Sequence, residues 1–203
     1  NLLPRVQRII DSMVEMDIIE PTDHATNTMP VTLVLGKTPE GETTITRLTI
    51  DARECNKALV DDMPEALPTI ANLMQHAEGG YVYSTIDLVK AFWQSRIFPP
   101  HASRVALRIA GQNYSLKKLF FGIRFGSSTF QQLLQDIVGA DLFQERDGCG
   151  VFVDDCILWS RKGEGETHDE VMKRHAALLG RVIKRLNERN CTVNLLKSHL
   201  FQT

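Results

Sequence analysis

Three aspartates stand where an aspartate is costly. Asp154 and Asp155 lie side by side in VFVDDCILWS, residues 151 to 160, between two apolar runs, and Asp87 closes the β-branched run YVYSTID. A charged side chain in a low-dielectric surround is unfavourable unless it is paired or binds a cation. Oxygen-only ligands select hard ions, above all Mg²⁺, which keeps several waters and commonly joins carboxylates to substrate phosphates. Two such ions about 3.5–4 Å apart can clamp the attacking and leaving oxygens of a phosphoryl transfer. A tandem aspartate also suits a solvated turn, so the pair alone leaves both readings open.

The elements around these residues decide whether they can meet. From residue 81 onward the pattern predicts a strand YVYSTIDL, then strands SRVALRI and NYSL flanking a turn at Ala110-Gly111. A helix follows from Ser127 to Val138, with Ser127, Ser128 or Thr129 as its cap. GVFVDDCILWS reads as strand, turn, strand. A long helix from Glu170 to Asn190 has Val171, Ala176, Leu178, Leu179, Val182, Ile183 and Leu186 as its expected buried face, and CTVNLL is expected as a closing strand. This order predicts an α+β layer of helices over an antiparallel sheet, in which Asp87 at a strand end can lie beside a hairpin tip carrying Asp154 and Asp155.

Upstream, Val6, Ile9, Ile10, Met13, Val14 and Met16 fall mostly at helical spacing before Pro21, and a polar, threonine-rich connection follows. MPVTLVLGK and TTITRLTID read as a hairpin turning at Pro39 to Glu42. Pro64 and Pro68 bracket a link into a helix through Ile70, Leu73 and Met74, closed by Gly79-Gly80.

With 203 residues and 43% hydrophobic content, the chain can bury a sizeable core as one domain or two packed subdomains. The net charge of -2 gives no global basic field. Nucleic-acid binding would need a local patch, and the acid-free stretch His101 to Phe125, with Arg104, Arg108, Lys117, Lys118 and Arg124, is either that or ordinary solvated surface. Cys55, Cys149, Cys156 and Cys191 show neither disulfide-scaffold nor zinc-site spacing, so a reducing compartment is the default expectation. No apolar run is long enough to span a bilayer, and no membrane partner is expected. Because the chain begins at Asn1, a piece of a longer protein is expected.

TRLTIDARECNK, STIDLVKAFWQ, LFFGIRFGSSTFQ and VFVDD, in this order and at these separations, resemble the reverse transcriptases of gypsy-type long-terminal-repeat retrotransposons and retroviruses. The resemblance covers nearly the whole chain. It implies a right-hand polymerase fold of fingers and palm, with an antiparallel palm sheet and helices packed on one face. The resemblance further implies that the thumb is absent from this stretch, with thumb, connection and RNase H parts expected beyond Thr203. Residues 1–80 would be mainly fingers, 81–100 the palm strand and nucleotide-binding turn, 101–125 a fingers/palm hairpin, and 126–203 the palm with its catalytic hairpin.

The resemblance also implies roles. Asp87, Asp154 and Asp155 would be catalytic and would bind two Mg²⁺ ions, with Mn²⁺ as substitute. Lys37, Arg47, the turn Leu88, Val89, Lys90 and Ala91, then Phe92 and Phe121 would form the nucleotide site, with Phe92 excluding a ribose 2′-hydroxyl. Arg53, Asn56, Phe152 and Val153 would meet template or primer, and Lys197 would protonate pyrophosphate. Partners would be an RNA or DNA template with its primer, deoxynucleoside triphosphates, and the rest of a polyprotein. The expected place is the cytoplasm, within virus-like particles, or the nucleus for a domesticated copy. Departures exist: Phe152 replaces the usual tyrosine, and Glu40 and Glu42 make the fingers hairpin less cationic. An RNA-dependent RNA polymerase and a domesticated, non-catalytic binding module are the alternative expectations.

Overall fold

Val6, Ile10 and Met13 recur at helical spacing, and helix α1 (Leu3–Glu15) buries these three. The computed structural model describes residues 3–39, 41, 43–59 and 69–203. Glu40 and Glu42 of the expected turn, and the link bracketed by Pro64 and Pro68, lie outside the described residues.

The chain divides into two units. The first takes Asn1–Asp62 and Ser95–Gly126, the second Met63–Gln94 and Ser127–Thr203.

In the first unit, β1 (Ile19–Pro21), β2 (Thr28–Lys37), β3 (Thr43–Ile50), β5 (Ala106–Ile109) and β6 (Gln112–Leu116) form a sheet in the order β1-β6-β5-β2-β3. β2 runs parallel to β5 and the other pairings are antiparallel. The β2–β3 hairpin matches the expected one. A bulge opposite Val34 and Leu35 leaves one extra residue on β3 between Ile45 and Arg47. The sequence predicts a helix up to Pro21 and no strand at β1; Ile18 and Ile19, both almost fully buried, draw this segment into the core instead. The strand expected from Ser103 starts later, because Pro99–Arg104 folds as a short 3₁₀ helix with proline at its start. Helix α2 (Arg53–Ala58) follows β3.

Two members of the expected basic patch are held inside this unit. Lys117 pairs with Asp17 and lies 3.5 Å from Glu20. The Lys118 ammonium donates to the Met16 carbonyl at 2.8 Å, just past the end of α1. Arg104, Arg108 and Arg124 are exposed.

In the second unit, β4 (Val82–Asp87), β7 (Asp147–Phe152), β8 (Asp155–Ser160) and β9 (His199–Gln202) pair antiparallel throughout, in the order β7-β8-β4-β9. Helix α5 (His168–Glu188) packs on β4, β7 and β8. Its start is fixed by a capping box between Thr167 and Glu170. Helix α3 (Ile70–Ala77) touches β7, where Gly150 leaves room for Leu73: a Cβ at Gly150 would stand 2.0 Å from Leu73 Cδ1 and push that side chain aside. Helix α4 (Gly126–Val138) follows the first unit's last segment.

Two expectations about this unit are corrected. The closing strand is not CTVNLL: residues 191–197 are irregular backbone ending in a turn over 195–197, with one isolated bridge from Val193 to Leu88, and pairing with β4 begins only at His199. On α5, Ala176 and Ile183 face solvent while His175 is fully buried. His175 reads as polar in sequence, but two serine hydroxyls satisfy its ring: Ser84 Oγ lies 2.8 Å from Nε2 and Ser160 Oγ 3.0 Å from Nδ1. All four cysteines are free thiols, and among the described residues no helix is long and apolar enough to cross a membrane.

Candidate active site

Alternation along β4 sends Val82, Ser84 and Ile86 into the core and leaves Tyr83, Thr85 and Asp87 half-buried on the other face. The register then does the positioning. Asp87 lies directly opposite Asp155, and Asp155 directly opposite Phe152 on its other side. Direct cross-strand partners share a face with Cβ atoms about 4.5–5.5 Å apart, so Asp87 and Asp155 are neighbours across the ladder. Asp154 occupies the two-residue turn with Val153, between β7 and β8.

The crowding is visible in the charge balance. The carboxyl of Asp155 is raised above the ordinary aspartate range, first by desolvation and then by the charges of Asp154 and Asp87. A cavity of about 380 Å³ opens at this edge, lined among others by Asp87, Phe152, Asp155, Lys197 and His199. Among the described residues, no group of three or more His, Cys, Asp or Glu side chains is gathered as a ready metal cage. The aspartates nonetheless fit a hard cation by donor type and by uncompensated charge.

Asp87 is gripped through its backbone by a turn rather than a strand. Its N–H donates to Ser198 Oγ at 3.1 Å, its carbonyl accepts from Asn194 N–H at 2.8 Å, and the Ser198 hydroxyl donates to the Asn194 carbonyl at 2.8 Å. The following turn is tied similarly. Val89 N–H donates to Thr192 O at 2.9 Å, so it is not among the donors an anion cradle over Leu88–Ala91 could use. Gln94 donates to the Val89 and Thr192 carbonyls at 2.5 and 3.1 Å and accepts from Thr192 N–H at 2.7 Å. Leu88 and Ala91 are buried, Val89 and Lys90 exposed, and the Lys90 ammonium lies 4.9 Å from the Trp93 ring centre.

Phe92 is buried, its ring stacked on Phe130 of α4 at 5.4 Å between centroids and 21° between planes. Lys37, Arg47 and Phe121 belong to the first unit, and all three are exposed. Lys37 pairs in register with Thr43 and Arg47 with Val34; the bulge between them breaks the alternation that would put Thr43 and Arg47 on one face.

Arg53 and Asn56, expected at a template path, both have partners within the first unit. The Arg53 guanidinium grips Asp51 with two bonds of 2.8 and 2.6 Å, which, mainly through the side-chain bonding, holds the Asp51 carboxyl down at about 2. Asn56 Nδ2 donates to the Gly122 carbonyl and its Oδ1 accepts from Arg124 N–H, each at 2.8 Å. Asn56 thereby pins the loop that carries Phe121. The supporting residues Gln94, Asn194, Ser198 and His175 escape sequence reasoning because each acts on a distant backbone or hydroxyl group. Only the i to i+4 bond of Ser198 to Asn194 has a local signature.

Comparison with known proteins bears on what this edge is for. The family model described as "Reverse transcriptase (RNA-dependent DNA polymerase)" matches residues 37–203. The retrovirus-related Pol polyproteins of the Drosophila melanogaster transposons opus and gypsy are each 28% identical, over 100% and 77% of this chain. The chain spans only 19% and 14% of their lengths. In fold it is similar to a foamy viral protease-reverse transcriptase in complex with an RNA/DNA hybrid, with a TM-score of 0.75 at 21% identity, covering 97% of this chain and 24% of the other.

Proposed function

From the membership of this chain in the reverse transcriptase (RNA-dependent DNA polymerase) family, we propose that it carries the catalytic edge of a template-directed DNA polymerase. It extends a primer 3′-hydroxyl with deoxynucleotides. The observation that carries this reading is the register that sets Asp87 beside Asp155, with Asp154 in the adjoining turn. Nothing in a core needs three carboxylates at one sheet edge, and their mutual repulsion calls for cations there.

Asp87 and Asp154, with Asp155 in support, would hold divalent cations, Mg²⁺ by preference and Mn²⁺ as substitute. When bound, such ions neutralise charge that develops on transferring phosphoryl oxygens. The chain's own groups orient the rest. The exposed cations Lys37 and Arg47 are assigned to the triphosphate, and the turn Leu88–Ala91 with Phe121 to the nucleotide. Phe92 is assigned to the sugar, and Arg53, Asn56, Phe152 and Val153 to template and primer. Lys197 is assigned to the protonation of departing pyrophosphate, and its sharing of a cavity with Asp87 and Asp155 supports that assignment. The foamy viral relative was captured on an RNA/DNA hybrid, which supports a paired template and primer as the partner here.

Primer extension on matched RNA and DNA templates, with deoxy- or ribonucleotides and Mg²⁺, tests the reading. Deoxynucleotide addition on the RNA template is the expected result. Addition of ribonucleotides alone would replace it with RNA synthesis, and no addition at all in the full protein would leave a binding module.

A further inference from the structure

Gln131 sits in the middle of α4 with 1% of its surface exposed. A buried side-chain amide is costly unless both of its ends are satisfied. Both ends are used on the hairpin that carries Asp154. Its Oε1 accepts from Val153 N–H at 2.9 Å and its Nε2 donates to the Val151 carbonyl at 3.3 Å. The orientation of the amide is fixed by these partners, since a flipped amide would set donor against donor and acceptor against acceptor.

The residue so held is strained. Val153 has a φ of 54°, a region that β-branched side chains avoid. It is the first of the two residues that close the turn between the paired Phe152 and Asp155, a position where positive φ usually calls for glycine. A valine left to its own preference would move out of this conformation and swing the next residue, Asp154, with it. Gln131 is the side chain that binds the strained peptide from behind, one residue along α4 from Phe130, whose ring supports Phe92.

We propose that Gln131 is a positioning residue that locks the Val153 peptide and thereby fixes where Asp154 stands relative to Asp87 and Asp155. The brace is a structural statement; its effect on turnover rests on the polymerase reading.

The test uses Gln131→Met in the full protein, which keeps the side-chain length and removes both bonds. Amide hydrogen exchange at Val153 should quicken by about tenfold, the worth of a good hydrogen bond. Primer extension should lose about tenfold in kcat while KM for the deoxynucleotide changes little, and the melting temperature should fall by roughly a few degrees because the Val153 N–H and Val151 carbonyl lose this partner. The same substitution in a Val153→Gly background should cost much less in kcat, because glycine holds positive φ without help. Unchanged exchange at Val153 overturns the brace. Equal kcat losses in both backgrounds also overturn it, reducing Gln131 to packing. If Gln131→Met fails to fold, Gln131→Asn, one methylene too short to make both bonds, takes its place with the same expectations. Should the wild-type protein extend no primer, the polymerase reading falls, while the exchange measurement still decides the brace.

Discussion

Two hairpins in this molecule are each closed by two residues, and they reach that geometry in opposite ways. Between β5 and β6 the turn is Ala110-Gly111, with φ of 50° and 87°, both residues exposed and open space around Gly111. Two positive φ values suit the right-handed twist of the flanking strands; Gly111 adopts its value freely, and Ala110, with no β-branch, at a smaller cost than a valine would pay. Between β7 and β8 the turn is Val153-Asp154, where the positive φ falls on a β-branched residue and a buried glutamine from another element holds it. The first hairpin follows local preference. The second opposes local preference and is held by tertiary contacts, at the place where the carboxylates gather, which is where strained backbone is most often found.

The largest effect expected from this contrast concerns charge at the braced turn. Asp154→Asn and Asp87→Asn should each lower nucleotide addition by about a hundred- to thousandfold, the range seen when one preorganised electrostatic group is removed. Circular dichroism should be unchanged. Substitution of Gln112 beside the relaxed turn should leave addition near the wild-type rate. Comparable losses at both hairpins would erase the distinction.

Phe92→Val comes next. Its ring both stacks on Phe130 and is assigned to the sugar site. The change should cost less than the roughly 3–5 kcal/mol of a Phe→Ala substitution and should raise the ratio of ribo- to deoxynucleotide incorporation, because a clash with the 2′-hydroxyl is relieved. A lower melting temperature with an unchanged ratio would restrict Phe92 to the core.

Stability alone separates the turns more finely. Gly111→Ala should destabilise by about 1 kcal/mol, since alanine is disfavoured at that φ. Val153→Gly should be neutral to stabilising by about 1 kcal/mol, because released strain outweighs the entropic cost of glycine. Denaturant unfolding that gave both changes the same sign would contradict the strain assigned to Val153.

The smallest effect lies behind the sheet, where burial pushes the His175 imidazole below its usual value. The unfolded chain takes up a proton near pH 6.5 and the folded one resists it until lower pH. His175 therefore costs the protein nothing above about pH 6.5, and stability falls as pH drops through that value, by at most about 1.4 kcal/mol per pH unit, until the folded group also titrates. Unfolding curves between pH 7.5 and 5.5 should show the step in the wild type and lose it in His175→Gln.

What was legible in the sequence tracks the same local-against-tertiary division. Both hairpins could be read from β-branched runs and turn residues, and the meeting of Asp87 with the Asp154-Asp155 tip could be read from element order. The closing strand was misplaced because CTVNLL carries better strand residues than HLFQ. Pairing with β4 is settled by tertiary contacts, including the Phe201 N–H bond to Ser84 Oγ at 3.0 Å. Gln131 closes the motif LFFGIRFGSSTFQ, yet its role could not be read for a related reason: a glutamine inside a helix reads as surface, and nothing nearby in sequence announces Val151 and Val153 as its partners.

The grip of Ser198 on Asp87 spans 111 residues of sequence, and this sets an order in time. As the chain leaves the ribosome, Asp87 emerges long before its cross-strand neighbour Asp155 and longer still before the turn that fixes its peptide groups. Until β9 arrives, one side of β4 is an unpaired edge, open to any other extended chain. A product cut short before residue 198 would thus carry all three clustered aspartates, yet lack the means to hold the first of them in place. Such distant closures are slow to form, so the aspartate cluster is completed late in folding, after the segments that supply its charges.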